Sequence, residues 1–179
     1  MKLSAIPLLL GLALAGPAAQ AALKPGDAAP DFSTEAALGG KAFGFKLADA
    51  LARGPVVLYF FPKAFTQGCT IEAHEFAEAT ARFNALGATV IGVSNDDIAT
   101  LKRFSVEACR NKFAVAADPD SKVIREYDAK LAFMPGMADR ISYVIAPNGK
   151  IAYAYASLSP DHHVANTMKV VEELAAAKR

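Results

Sequence analysis

Between Pro55 and Pro62 the chain runs Val56-Val57-Leu58-Tyr59-Phe60-Phe61 without a polar break. A strand that is apolar at every position, and not only at every second one, has to be covered on both faces. The sheet holding it therefore lies between helices, which makes the chain α/β. Thr89 to Ser94 is a second run of this kind. Between the two, Ile71, Phe76, Ala79 and Phe83 recur at helical spacing from about Cys69 to Leu86, and Gly87 stops the helix. Asn95 or Asp96 is placed to cap a further helix from about Asp97 to Asn111. Ala114 to Ala117 reads as a short strand, and Ser121 as the cap of a short helix reaching Tyr127. Ile141 to Ile145 and Ile151 to Tyr155 flank the turn Pro147-Asn148-Gly149-Lys150 and read as a hairpin. A last helix is expected from about Pro160 to Ala177.

Ahead of these elements, Leu23 to Asp31 reads as an extended lead-in with a turn. Ala42 to Phe45 reads as a short strand or hairpin edge, and Leu47 to Leu51 as a helical turn. Leu131 to Asp139, with Met134-Pro135-Gly136, reads as irregular. Alternation first and a hairpin last give a mixed central sheet with one antiparallel end, the thioredoxin-like layout.

The first 21 residues stand apart. Met1-Lys2 is basic, Ile6 to Ala15 is apolar, and Ala19-Gln20-Ala21 offers a small-residue cleavage site. That order is the pattern of a secretory signal peptide, and the apolar run is short for a membrane span. The expected domains are a signal over 1–21 and one thioredoxin-like domain over 22–179, with export to the periplasm or beyond. Net charge is +1, with no block of like charge, which argues against a nucleic-acid surface. Past the signal, nothing is long and apolar enough to hold a membrane. An oxidising compartment gives the two cysteines, Cys69 and Cys109, two possible uses: a structural bridge or redox chemistry.

Cys69 falls where a buried strand passes through a loop into a helix. The first turn of a helix carries unbonded N–H groups and the positive end of the dipole, and both favour thiolate, the nucleophilic form. Thr66 brings a hydroxyl to the same turn, where it also reads as a plain helix cap. Pro62 stiffens the loop or simply ends the strand.

Pro62, Thr66 and Cys69 together spell P-x-x-x-T-x-x-C, which resembles the active-site motif of the peroxiredoxins. The flanks Phe61-Pro62-Lys63-Ala64 and Gly68-Cys69-Thr70 are similar to the peroxiredoxin Q or bacterioferritin comigratory protein branch. The resemblance runs from Gly26-Asp27-Ala28-Ala29-Pro30-Asp31-Phe32 to the C-terminal helix. It implies a thiol peroxidase for hydrogen peroxide and alkyl hydroperoxides, without a cofactor, recycled by a thioredoxin-like or other thiol reductant. It implies catalytic roles for Cys69, Thr66 and Pro62. Arg140, in Asp139-Arg140-Ile141-Ser142-Tyr143, matches the family's arginine, and Glu72 matches the glutamate that braces it. Read without the resemblance, Arg140 is a surface charge and Glu72 a first-turn carboxylate favoured by the dipole. Members of the branch are often monomeric; a dimer stays open.

The second cysteine departs from the pattern. Where many members of the branch carry a resolving cysteine, this chain has His74. Other members place it on the next helix, which implies Cys109 as the resolving residue. A disulfide needs Cα atoms roughly 4.4–6.8 Å apart, closer than neighbouring helices ordinarily bring them, so the first helix would have to unwind. The alternative is a buried Cys109 in a one-cysteine enzyme served by an external thiol. Thiol–disulfide exchange of the thioredoxin type is a competing function, but Thr66 stands where C-x-x-C needs its first cysteine. A copper-binding module on the same fold is another, but Cys69 has no C-x-x-x-C partner. His162-His163 supplies too few ligands for a metal. Phe65, Phe133 and Met134 read equally as an apolar approach for organic hydroperoxides and as core packing.

Overall fold

The computed structural model describes residues 22–177, so the expected signal segment lies outside the described residues. Seven strands, β1 (Ser33–Leu38), β2 (Lys41–Lys46), β3 (Val56–Phe60), β4 (Thr89–Ser94), β5 (Ala114–Ala117), β6 (Ile141–Ile145) and β7 (Ile151–Ala156), form one sheet. Five helices accompany them: α1 (Leu47–Leu51), α2 (Gln67–Ala85), α3 (Ile98–Glu107), α4 (Lys122–Glu126) and α5 (His163–Ala176). The strand order is β2-β1-β5-β4-β3-β6-β7. β3, β4 and β5 run parallel, while β6 and β7 continue antiparallel on one side and β1 and β2 on the other.

β3 is central and buried at every position, as its uninterrupted apolar run requires. Its side chains alternate between two cores. Val57 and Tyr59, with Phe61 beyond the strand, join Phe76 of α2, Phe104 of α3 and Met168 of α5. Val56, Leu58 and Phe60 join Leu47 of α1 and Ile124 of α4. A side chain of this size contributes roughly 1.5–3 kcal/mol when fully buried, so the strand that leads into the Cys69 loop is among the most firmly held.

Four boundaries differ from expectation. β1 lies beyond the expected lead-in, where no element is expected; it pairs with β2 across Gly39 and Gly40, whose φ angles of 55° and 78° are the left-handed pair that a two-residue hairpin turn requires. Asp97, not Asn95 or Asp96, caps α3, accepting the Thr100 N–H at 2.7 Å. Ser121 does not cap α4: its hydroxyl donates to the Gly136 carbonyl, and the Asp118 carboxylate accepts the N–H groups of Lys122 and Ile124. Cys109 is not on α3. The helix ends at Glu107, the Cys109 N–H donates to the Phe104 carbonyl at 3.0 Å, and Arg110 and Asn111 turn left-handed (φ 50° and 59°) to leave the axis.

Candidate active site

α2 begins at Gln67, with Thr66 in the cap position in extended conformation. The first intrahelical bond runs from Thr70 N–H to the Thr66 carbonyl at 2.9 Å. The N–H groups of Gln67, Gly68 and Cys69 therefore precede the helical ladder and are free to serve a ligand at the helix start. Cys69 lies in this turn, 1% exposed and free. Thr66 does not bond back to its helix. Its hydroxyl donates to the Lys63 carbonyl at 2.9 Å, which leaves the oxygen lone pairs available on an exposed rim.

Two neighbouring elements hold the loop before α2. Asp96, 2% exposed in the turn after β4, accepts from the Ala64 N–H and the Ser94 hydroxyl, and its other oxygen meets Lys63 Nζ at 2.6 Å. Pro62 is half-buried between this anchor and the end of β3.

Arg140 enters immediately before β6, next to β3 in the sheet. Its side chain is 5% exposed, and all three nitrogens of its fork have acceptors. Nε donates to the Leu158 carbonyl at 2.9 Å, Nη1 to Glu72 Oε2, and Nη2 to Cys69 Sγ at 3.4 Å. Burial works against the Arg140 charge, but Glu72 and Cys69 outweigh it and hold its pKa above the ordinary value. Glu72 is wholly buried one turn along from Cys69; burial pushes its carboxyl up to about 8 against the pull of Arg140. A planar fork of fixed charge suits this double duty, which a lysine would not fulfil.

Among the residues expected from sequence, Cys69 and Glu72 thus both meet Arg140, while Thr66 is exposed and Pro62 half-buried in the loop that leads to Cys69. Cys109 is buried in the same apolar cluster, but among the described residues no hydrogen bond reaches its sulfur, and burial pushes its thiol up. Phe65, Phe133 and Met134 are 40%, 74% and 48% exposed, which corrects their reading as core packing. Phe65 leans edge-on against Phe104, with Arg103 over its ring at 5.3 Å. His74 is half-buried on α2.

Several residues at the site escaped the sequence reading. A Cβ on Gly68 would stand 3.0 Å from Arg140 Nη2, so the guanidinium reaches the sulfur over a glycine. Asp96 gave no local signal beyond a possible cap. His162 and His163 part company: His162 is exposed, whereas His163 is fully buried with its ring against Ser142, Ser157 and Tyr155. A histidine opening an amphipathic helix beside an exposed twin carries no mark of burial.

The AhpC/TSA family matches residues 25–154. The chloroplastic peroxiredoxin Q of Oryza sativa subsp. japonica is 34% identical over 121 residues, covering 67% of this chain and 55% of the relative. That of Triticum aestivum has the same identity and coverage. The chain thus spans about 55% of the length of these curated relatives. The crystal structure of the peroxidoxin BcpB from Mycobacterium tuberculosis superposes with a TM-score of 0.76 at 27% identity, covering 84% of this chain and 97% of that one. The AhpC of Mycobacterium tuberculosis, at 21% identity and a TM-score of 0.77, shares the fold. Sequence, fold and the meeting of Cys69 with Arg140 agree: the chain belongs to the AhpC/TSA family, with peroxiredoxin Q proteins among its relatives.

Proposed function

We propose that this protein is a thiol-dependent peroxidase acting on hydrogen peroxide and alkyl hydroperoxides through Cys69. The observation that carries the reading is the Arg140 N–H directed at the Cys69 sulfur at 3.4 Å, on a buried thiol at the start of a helix. The Cys69 thiolate attacks one peroxide oxygen. A sulfur–oxygen bond forms, the oxygen–oxygen bond breaks, and the departing oxygen takes up a proton to leave as water or an alcohol. Negative charge moves from sulfur to that oxygen, so groups placed around both ends lower the barrier. Arg140 serves the sulfur side. The free N–H groups of Gln67, Gly68 and Cys69 and the Thr66 hydroxyl are the donors and acceptors near the incoming peroxide. Glu72 braces Arg140 and touches neither reactant, and Pro62 shapes the mouth.

The sulfenic acid is then condensed with a thiol, releasing water and leaving a disulfide, which an external thioredoxin-like dithiol reduces. Cys109 is our candidate for that thiol. Its burial means that the turn after α3 and the start of α2 must open before the two sulfurs meet. Residues 1–21 act as a cleaved export signal, and the working compartment is the periplasm or the exterior. Among the described residues no helix is long and apolar enough to cross a membrane.

Stopped-flow mixing of the reduced protein with micromolar peroxide tests the first step. Saturable, stoichiometric loss of the Cys69 thiol with sulfenate trapping is expected; an unreactive Cys69 removes the proposal. For the second step, oxidised protein should migrate as a monomer lacking both free thiols. Full turnover in Cys109→Ser would assign resolution to an external thiol instead.

A further inference from the structure

On the Glu72 side of Arg140 lies a buried polar cluster that the peroxide chemistry leaves unused. His163 is fully buried at the first residue of α5. Its Nε2 faces the Ser157 carbonyl at 3.0 Å; a carbonyl only accepts, so Nε2 carries a hydrogen. The other nitrogen, Nδ1, lies 2.8 Å from Ser142 Oγ and 3.6 Å from Glu72 Oε1. Glu72 Oε2 is taken by Arg140, while Oε1 is buried and, among the described residues, has no hydrogen-bond partner.

If Glu72 is a plain carboxylate and His163 a plain neutral imidazole, the Ser142 hydroxyl donates to Nδ1 and Oε1 is left with no hydrogen. Buried acceptors are seldom left so. The charge count points the same way. A Cys69 thiolate, a Glu72 carboxylate and the Arg140 guanidinium sum to one net negative charge in a closed site, which a single added proton cancels.

We propose that Glu72 and His163 hold one proton in common, carried on Oε1 or on Nδ1, making His163 a positioning residue that divides the charge of Arg140 between Glu72 and Cys69. Burial moves both groups toward such sharing, raising the carboxyl to about 8 and lowering the imidazole below its ordinary value. The charged and titratable groups around the pair are Tyr59 on β3, Cys69 and Glu75 on α2, Asp139 and Arg140 before β6, and Tyr155 on β7, whose ring packs against His163 at 4.8 Å. With the proton in place, Glu72 competes weakly for the guanidinium and Nη2 serves the sulfur. When the proton leaves for solvent, the carboxylate draws Arg140 back and the site regains its net negative charge. The effect on rate rests on the peroxidase reading; the shared proton does not.

Two measurements decide it. In the whole wild-type chain, the Glu72 carboxyl carbon and the His163 ring nitrogens, followed by NMR across about pH 5 to 9, should titrate with one common midpoint. Glu72→Gln should remove the His163 step. Separate midpoints, or no movement of either group, overturn the proposal. In stopped flow with hydrogen peroxide, His163→Asn replaces Nδ1 with an amide that donates to Oε1 and holds a carboxylate. It should slow Cys69 oxidation about tenfold at neutral pH and erase the alkaline decline of the wild type. A His163→Asn profile parallel to wild type also overturns it. If Cys69 proves unreactive to peroxide, the proposed function fails and the NMR titration still decides this inference.

Discussion

Cys69 and Cys109 are about equally buried, 1% and 0% exposed, and share one apolar cluster. Their surroundings are nevertheless opposite. Cys69 has a guanidinium N–H on its sulfur and a helix start beneath it. Cys109 sits past the end of a helix, its own N–H taken by the Phe104 carbonyl, and no charged group touches its sulfur. A thiol becomes a nucleophile through what stabilises its anion, and access to water is a poor guide to that. In this fold the stabilising groups come from the first turn of α2 and from the residue just before β6, which the pairing of β3 with β6 brings together.

The comparison breaks most simply by exchanging the roles of the two sulfurs. Cys69→Ser should lower the rate of peroxide consumption, measured with excess dithiothreitol, by more than about 10³-fold. Cys109→Ser should leave the first oxidation step unchanged. If the two variants lose the first step equally, the contrast between the sites is wrong.

Arg140→Lys sharpens the contrast by keeping the charge and removing the fork. One ammonium cannot reach Leu158 O, Glu72 and Cys69 at once, and the rate of Cys69 oxidation should fall about 10²-fold, with circular dichroism unchanged. A rate near wild type would mean that net charge alone activates the sulfur. Gly68→Ala is gentler. An alanine suits the first turn of a helix, so thermal stability should hold or rise, while its Cβ at 3.0 Å from Nη2 displaces the guanidinium. Oxidation should slow roughly threefold without loss of stability, a pairing that a general packing defect would not give.

The pH dependence of stability tests the acidic half of the Cys69 site. The folded Glu72 carboxyl holds its proton to about 8, against 4.5 for an ordinary glutamate. Between those values the folded chain binds more protons than the unfolded one, so this group's contribution falls as pH rises through the window and is flat above it. His163, lowered by burial, acts in the opposite sense: its contribution is lost as pH falls through the ordinary histidine range. Denaturant titrations should show a shallower decline from about pH 5 to 8 in Glu72→Gln than in wild type. Equal slopes would return Glu72 to an ordinary ionised partner of Arg140.

The sheet was legible because period and burial leave marks in the chain. β3, β4 and the β6–β7 hairpin are apolar runs bounded by Pro and Gly, and α2 repeats its apolar face every turn. β1 was missed because Ser33-Thr34-Glu35 looks like loop, although Gly39-Gly40 announces a hairpin. Arg140 and Glu72 came from the resemblance, since their pairing depends on how β6 lies against β3, which no local spacing encodes. The buried state of His163 and the clearance over Gly68 depend on packing between elements distant in sequence, and neither residue type signals it. Cys109 falls on the expected helix because Ala108 to Asn111 are acceptable helix residues; the helix instead stops at Glu107, and left-handed Arg110 and Asn111 take the chain off its axis.

That misplacement matters for the smallest effect, Cys109→Ala. The substitution removes a buried sulfur from among Phe104, Phe113 and their neighbours and leaves a small void, costing about 1 kcal/mol by the scale of single-group core deletions. Because no hydrogen bond to the sulfur is lost, the rate of Cys69 oxidation should stay within about twofold of wild type. The two readouts need separating, since a looser turn after α3 would also ease the opening that a Cys69–Cys109 disulfide demands. If Cys109→Ala slows the first oxidation step more than this, the sulfur influences Cys69 through the shared core. The two thiols would then form one coupled site, and the contrast between a reactive and an inert sulfur would have to be abandoned.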